Sequence, residues 1–164
     1  MKQKNLWLLA GCPGSGKSYW VAQQPNATVV SRDAIRFSLL KDGDEYFSKE
    51  KEVKKEFLRQ IQEALENGDE NIYVDATHLN KFSRDWVLDN VFIPASYNIN
   101  CIAVVTCLGT CLARNALREG RAVVPEKALR DMFNRFVLPT PIEKFDHVYV
   151  LKEGEKTIQE VYYE

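Results

Sequence analysis

The sequence predicts an α/β fold, a mostly parallel five-stranded sheet with helices on both faces. Three observations carry that prediction. Apolar runs at residues 6–10, 28–30, 72–75, 99–107 and 148–151 alternate with helical patterns at 18–24, 32–40, 48–67, 83–92, 110–118 and 126–137. The strand runs are apolar nearly throughout, which is the pattern of parallel strands covered on both sides. A glycine-rich signature follows the first run, at the position of a first strand-to-helix turn.

The first run, Leu6-Trp7-Leu8-Leu9-Ala10, leads into Gly11-Cys12-Pro13-Gly14-Ser15-Gly16-Lys17-Ser18, a complete G-x-x-x-x-G-K-S phosphate loop. Small residues let backbone N–H groups turn inward around phosphates. Lys17 neutralises β/γ charge, Ser18 can hold Mg²⁺, and the next helix points its positive end at the anion. By itself the loop implies a bound nucleotide and no particular reaction. The second run opens directly into Ser31-Arg32-Asp33-Ala34-Ile35-Arg36, so Asp33 and Arg36 fall at the strand edge beside the loop. Asp33 can accept a proton from an attacking hydroxyl there, or simply complement a helix dipole. Arg36, one turn later, can fix a phosphate or the hydroxyl oxygen, or lie on the surface.

The helix at 48–67 spaces Val53, Phe57, Ile61 and Leu65 by four, giving one apolar stripe, and its Lys and Glu residues read as a solvated face. Asn67-Gly68 marks its end. Ile72-Tyr73-Val74-Asp75 is an apolar strand ending in a carboxylate, the Walker-B pattern in which Asp75 reaches the Mg²⁺ shell. In the loop beyond it, Thr77 can hydrogen-bond an acceptor. His78 reads as a loop histidine or a substrate contact, and Asn80 or Ser83 as the next helix cap. Cys101 and Cys107 fall on the fourth strand, Cys111 opens the following helix with Thr110 as its cap, and Pro125 suits the first turn of the last helix. Arg114, Arg118 and Arg121 lie between them, in a lid-length segment of about residues 114–125. Phosphoryl transfer needs positive charge at the in-flight group, and a closing lid supplies it with arginine. Arg130 and Arg135 read as ordinary helix-surface residues.

With 164 residues and a net charge of −1, a single unit spanning 1–164 is expected, with no global attraction to nucleic acid. Charge is uneven, however, with six Lys or Arg against three acids over residues 111–136. No C-x-x-C pair occurs among the four cysteines, so reduced thiols are expected rather than a zinc site. Neither a leader nor a membrane-length apolar run is read in the sequence, which predicts a cytoplasmic protein.

Taken together, Gly-x-Pro-Gly-Ser-Gly-Lys-Ser, Ser-Arg-Asp-x-x-Arg, Val-Asp-x-Thr and Arg-Asn-x-x-Arg followed by Val-Pro resemble the kinase domain of bacteriophage-type polynucleotide 5′-hydroxyl kinases, over roughly residues 5–151. The resemblance implies a P-loop kinase fold with an arginine-bearing lid, and ATP as donor to the 5′-OH of DNA or RNA. It further implies that Lys17 and Ser18 bind phosphates and Mg²⁺, that Asp33 is the general base and that Arg36 orients the acceptor. Arg118 becomes the lid arginine, with Arg121 as the alternative, and Arg114 lies near the donor base. His78 stands where the family usually has asparagine, and no 3′-phosphatase motif is read. Two other functions share these residues. One is a small-molecule or nucleotide kinase, in which Arg36 binds the acceptor's phosphate; the other is a nucleotide-binding regulatory module without transfer activity.

Overall fold

The computed structural model describes residues 4–140 and 142–161, and the backbone alone of Arg121. Its strands are β1 (Lys4–Ala10), β2 (Ala27–Ser31), β3 (Asn71–Asp75), β4 (Tyr97–Val105), β5 (His147–Lys152) and β6 (Gln159–Val161). They form one sheet in the order β2-β3-β1-β4-β5-β6. The first five strands run parallel, and β6 pairs antiparallel with β5. The expected five-stranded sheet is therefore extended by one strand. Gln159-Glu160-Val161 is too short and polar to read as a strand, and only its partner β5 makes it one.

The helices are α1 (Lys17–Val21), α2 (Arg32–Leu39), α3 (Glu50–Asn67), α4 (Lys81–Asp89), α5 (Leu108–Ala116) and α6 (Glu126–Arg135). Strand alternation sorts the apolar residues onto two faces of the sheet. Leu6 and Leu8 meet Val53, Phe57, Ile61 and Leu65 of α3 on one side, together with Val87 and Leu88 of α4. Leu9 faces the other way and packs with Trp20 and Val21 of α1, Tyr73, Ile102 and Leu151. A third cluster joins Cys12 of the phosphate loop to Cys111 of α5, Val124 and Leu129 of α6.

Several element ends differ from the sequence pattern for local reasons. Asn80, not Ser83, caps α4: its side chain accepts from the Ser83 N–H at 2.9 Å, and Ser83 Oγ accepts from the Asn80 N–H at 3.1 Å. That reciprocal box starts the helix at Lys81. Strand β4 ends at Val105, so Cys107 is the N-cap of α5 and not a strand residue. Thr106 turns the chain there, donating from Oγ1 to the Ser15 carbonyl at 2.8 Å. Thr110 and Cys111 consequently lie inside α5, and Thr110 donates to Glu153 instead of capping. Pro125 is the N-cap of α6. Among the described residues, no helix is long and apolar enough to cross a membrane.

Candidate active site

Sheet register assembles the site. Asp75, the last residue of β3, pairs with Leu9 of β1 and with Ser31 of β2. The phosphate loop, Asp75 and the start of α2 therefore share one edge of the sheet. They line a cleft of about 340 Å³ with Lys17, Ser18, Asp33, Arg36 and Thr77.

On the loop side, Gly14 and Gly16 take φ values of +80° and +104°, a region that L side chains rarely adopt. A Cβ on Gly14 would also meet the Cys111 carbonyl oxygen at 2.7 Å. Lys17 is buried and donates from Nζ to the carbonyls of Gly11 and Cys12, at 2.9 and 3.1 Å. Burial pulls its ammonium below the ordinary lysine range, against the attraction of Asp75 and Asp33. Ser18 Oγ donates to Asp75 Oδ2 at 2.6 Å. Two hard oxygen donors in contact fit Mg²⁺, which uses one or two protein oxygens and completes its shell with waters and substrate phosphates. Pro13 joins Gly14 and Gly16 on the cleft wall, whereas Cys12 and Ser15 are buried, and Gly11 donates its N–H to the Thr77 carbonyl at 2.9 Å.

On the opposite side, Ser31 caps α2 by accepting from the Ala34 N–H at 3.1 Å, which fixes Asp33 in the first turn. The Asp33 side chain is 48% exposed and is bonded by Arg36 Nη1. Arg36 is not a surface residue. Its guanidinium is buried between Asp33 and Glu50, donating to Glu50 Oε1 at 2.7 Å and Oε2 at 3.1 Å. Arg32 also donates to Glu50, at 3.2 Å. Burial works against the Glu50 carboxylate, but Arg36 and Arg32 outweigh it and hold its pKa below the usual range. Tyr46 completes the group, its hydroxyl 3.4 Å from Asp33 Oδ1. Burial and the neighbouring Asp33 push that phenol up to about 12, so it stays a hydrogen-bond donor.

Among the arginines, Arg114 and Arg118 line the cleft. Arg114 Nη1 donates to the Gly14 carbonyl at 3.1 Å, and Arg118 reaches the Ala122 carbonyl at 3.4 Å. The side chain of Arg121 lies outside the described residues. Glu50, Tyr46, Phe47 and Arg135 also line the cleft, and sequence reasoning missed all four. Glu50 was hidden in a charge-rich helix; its available signal was an acid at the start of α3 facing two cations one turn apart in α2.

His78 does not join them. Its side chain is buried, with Nδ1 2.5 Å from the Leu9 carbonyl, and Nε2 has no hydrogen-bond partner among the described residues. Its φ of +42° turns the ring under the loop while Thr77 and Leu79 line the cleft. Burial lowers the imidazole pKa from 6.5 to about 4. The unfolded chain therefore binds the proton first as pH falls, so this stabilisation is complete above pH 6.5 and is lost toward pH 4. Over that window His78 is expected to remove roughly 3 kcal/mol of stability. Urea unfolding at both pH values, compared with His78→Asn, measures it; an equal acid loss in the variant assigns the effect to other groups.

A second cavity of about 440 Å³ adjoins the first across Gly16, Tyr19 and Arg114, and extends to Trp20, Leu151 and Lys156. With its phosphate loop leaving the central strand and both cavities opening at the strands' carboxyl edge, the fold is that of a P-loop kinase. The chain belongs to the AAA domain family, which matches it over residues 6–139.

A protein of Autographa californica nuclear polyhedrosis virus, named as a bifunctional polynucleotide kinase/RNA ligase, is 25% identical over 166 residues. The match covers 93% of this chain and 23% of that protein, so the chain spans about a quarter of its relative. A chain of the Pnkp1/Rnl/Hen1 RNA repair complex superposes with a TM-score of 0.65 at 21% identity, over 82% of this chain and 44% of that one. A sugar kinase from Janibacter sp. gives 0.60 at 18% identity, over 92% and 85%. At these identities the structural likeness is one of fold.

Proposed function

We propose that the protein transfers the γ-phosphate of ATP to the 5′-hydroxyl of DNA or RNA. The observation that carries this reading is the aromatic edge beside Asp33. Tyr46 and Phe47 pack with ring centroids 4.6 Å apart, and Phe47 remains 41% exposed at the cleft. Every nucleobase offers a π-face to such rings, and a sugar acid offers none. The name of the viral relative and the RNA repair complex support the same acceptor.

In this reading, Lys17 and the loop amides hold the β- and γ-phosphates, and the second cavity takes the nucleoside of ATP. Ser18 and Asp75 hold Mg²⁺, which when bound neutralises charge on the phosphate oxygens. Arg36, fixed by Glu50, orients the acceptor, and Thr77 hydrogen-bonds it. Asp33 accepts the proton of the 5′-hydroxyl as its oxygen bonds to the γ-phosphorus, and the bond to the β–γ bridging oxygen breaks to release ADP. Residues 114–125 close as a lid, bringing Arg118 to the transferring group. The test presents γ-labelled ATP to 5′-OH single-stranded DNA, RNA and tRNA fragments beside nucleosides and sugar acids. Label is expected on polynucleotide 5′ ends; label on small alcohols alone overturns the proposal.

A further inference from the structure

Cys12 and Cys111 lie 99 residues apart in sequence, yet their sulfurs are 3.1 Å apart and both side chains are buried. The contact joins the phosphate loop to α5, whose backbone already presses on Gly14. A disulfide needs the sulfurs at about 2 Å, so closure asks for a shift of roughly 1 Å. We infer that Cys12 and Cys111 form a reversible disulfide that locks the phosphate loop against α5 and silences nucleotide binding.

The chemistry of the two thiols is asymmetric in the way such a bond requires. The hydrogen bond from Cys111 and the nearby Lys17 charge bring the Cys12 thiol down to about 7, against the cost of its burial. Cys111 is pushed upward by the same hydrogen bond and by burial. Cys12, whose own carbonyl holds the Lys17 ammonium, is placed as the first nucleophile, and Cys111 as the resolving thiol. The other two cysteines lack this arrangement. Cys101 is buried with its pKa raised by burial, and Cys107 is exposed with Thr110 Oγ1 against its sulfur.

With a peroxide as oxidant, the Cys12 thiolate attacks one peroxide oxygen and the O–O bond breaks. The products are a sulfenic acid and hydroxide, which takes up a proton. The Cys111 sulfur then attacks the Cys12 sulfur; the S–S bond forms and the sulfenic oxygen leaves as water with the Cys111 proton. Two thiols lose two electrons to the peroxide, and a dithiol reverses the change by exchange. In the described loop, Lys17 is bonded to the Gly11 and Cys12 carbonyls. That brace uses two of the three ammonium donors and leaves the third for a phosphate, and closing the S–S bond draws the Cys12 end of the loop roughly 1 Å toward α5, carrying the brace and the loop amides out of register with the phosphates.

The inference rests on the loop being the nucleotide-phosphate site, and the test separates the two ideas. The reduced chain is titrated with ATP, treated with a small excess of hydrogen peroxide, mapped by peptide mass spectrometry and titrated again. Expected are a Cys12–Cys111 cross-link with the loss of two hydrogen masses, an ATP affinity lower by about tenfold or more, and recovery with dithiothreitol. Cys111→Ser is expected to bind ATP as the reduced wild type does and to keep that affinity after peroxide. A missing cross-link overturns the inference, as does a cross-link without loss of ATP affinity, or equal inactivation of Cys111→Ser. Failure of the reduced chain to bind ATP instead overturns the reading of the loop. Should the serine variant not fold, the wild-type cross-link and its affinity change still decide.

Discussion

Asp33→Asn is expected to lower phosphate transfer by about 10²- to 10⁴-fold, the contribution of a positioned general base, while ATP binding stays within about twofold of wild type. The amide keeps the shape of the carboxylate and one oxygen for Arg36, but it cannot take the acceptor's proton. Asp33 is well suited to that loss being specific, because it caps no helix: Ser31 performs that task for α2. Single-turnover transfer of labelled γ-phosphate, with ATP affinity measured alongside, checks the expectation. Near-normal transfer removes Asp33 from the role of base. Parallel loss of transfer and ATP binding assigns it to the architecture of the cleft.

Arg84→Met is expected to destabilise the fold by about 3–5 kcal/mol, the largest structural effect anticipated for any single side chain here. Arg84 is wholly buried and pairs with Glu143, itself buried, through bonds of 2.6 and 3.2 Å. It also donates to the His78 and Val137 carbonyls at 2.8 and 3.0 Å. Removing the cation leaves the buried Glu143 carboxylate uncompensated, with only Thr140 still donating to it, and takes a donor from two carbonyls. Urea unfolding of the two single variants and of Arg84→Met with Glu143→Met forms the cycle. The double variant is expected to lose less than the two singles together, because neither charge remains alone. Additive losses would show that the pair itself contributes nothing.

Features carried by neighbouring residues were readable from the sequence, and those made by distant ones were not. The phosphate loop is contiguous, and Asp33 and Asp75 each follow directly on a strand, so the order of elements alone brings them to one edge. The stripe Val53, Phe57, Ile61 and Leu65 is a periodicity and was found as one. By contrast, Arg36 meets Glu50 across a helix boundary, and Arg84 meets Glu143 from 59 positions away. Pairing of charges over such separations leaves no periodic trace, so Arg36 read as either functional or exposed and Glu50 as solvated. His78 illustrates the opposite error: a polar residue in a loop suggests exposure, but its left-handed backbone rotates the ring into the core. Strand β6 is polar and three residues long, and its identity lies wholly in the ladder that β5 offers.

The central position of β1 governs how this chain must reach its native state. Residues 4–10 are made before either of their ladder partners, residues 71–75 on one side and 97–105 on the other. The strand must therefore wait, unpaired, while about sixty further residues are synthesised, and gains its second neighbour only about thirty residues later. During that interval Leu6, Leu8 and Leu9 have no sheet to enter, which makes the nascent segment a natural client for a chaperone and a hazard for aggregation. Parallel pairing across such distances also closes large loops before any contact rewards them, so refolding should be slow relative to helical proteins of this length. The strand that delivers the phosphate loop to its working position is thus made before both of its neighbours and secured only after them.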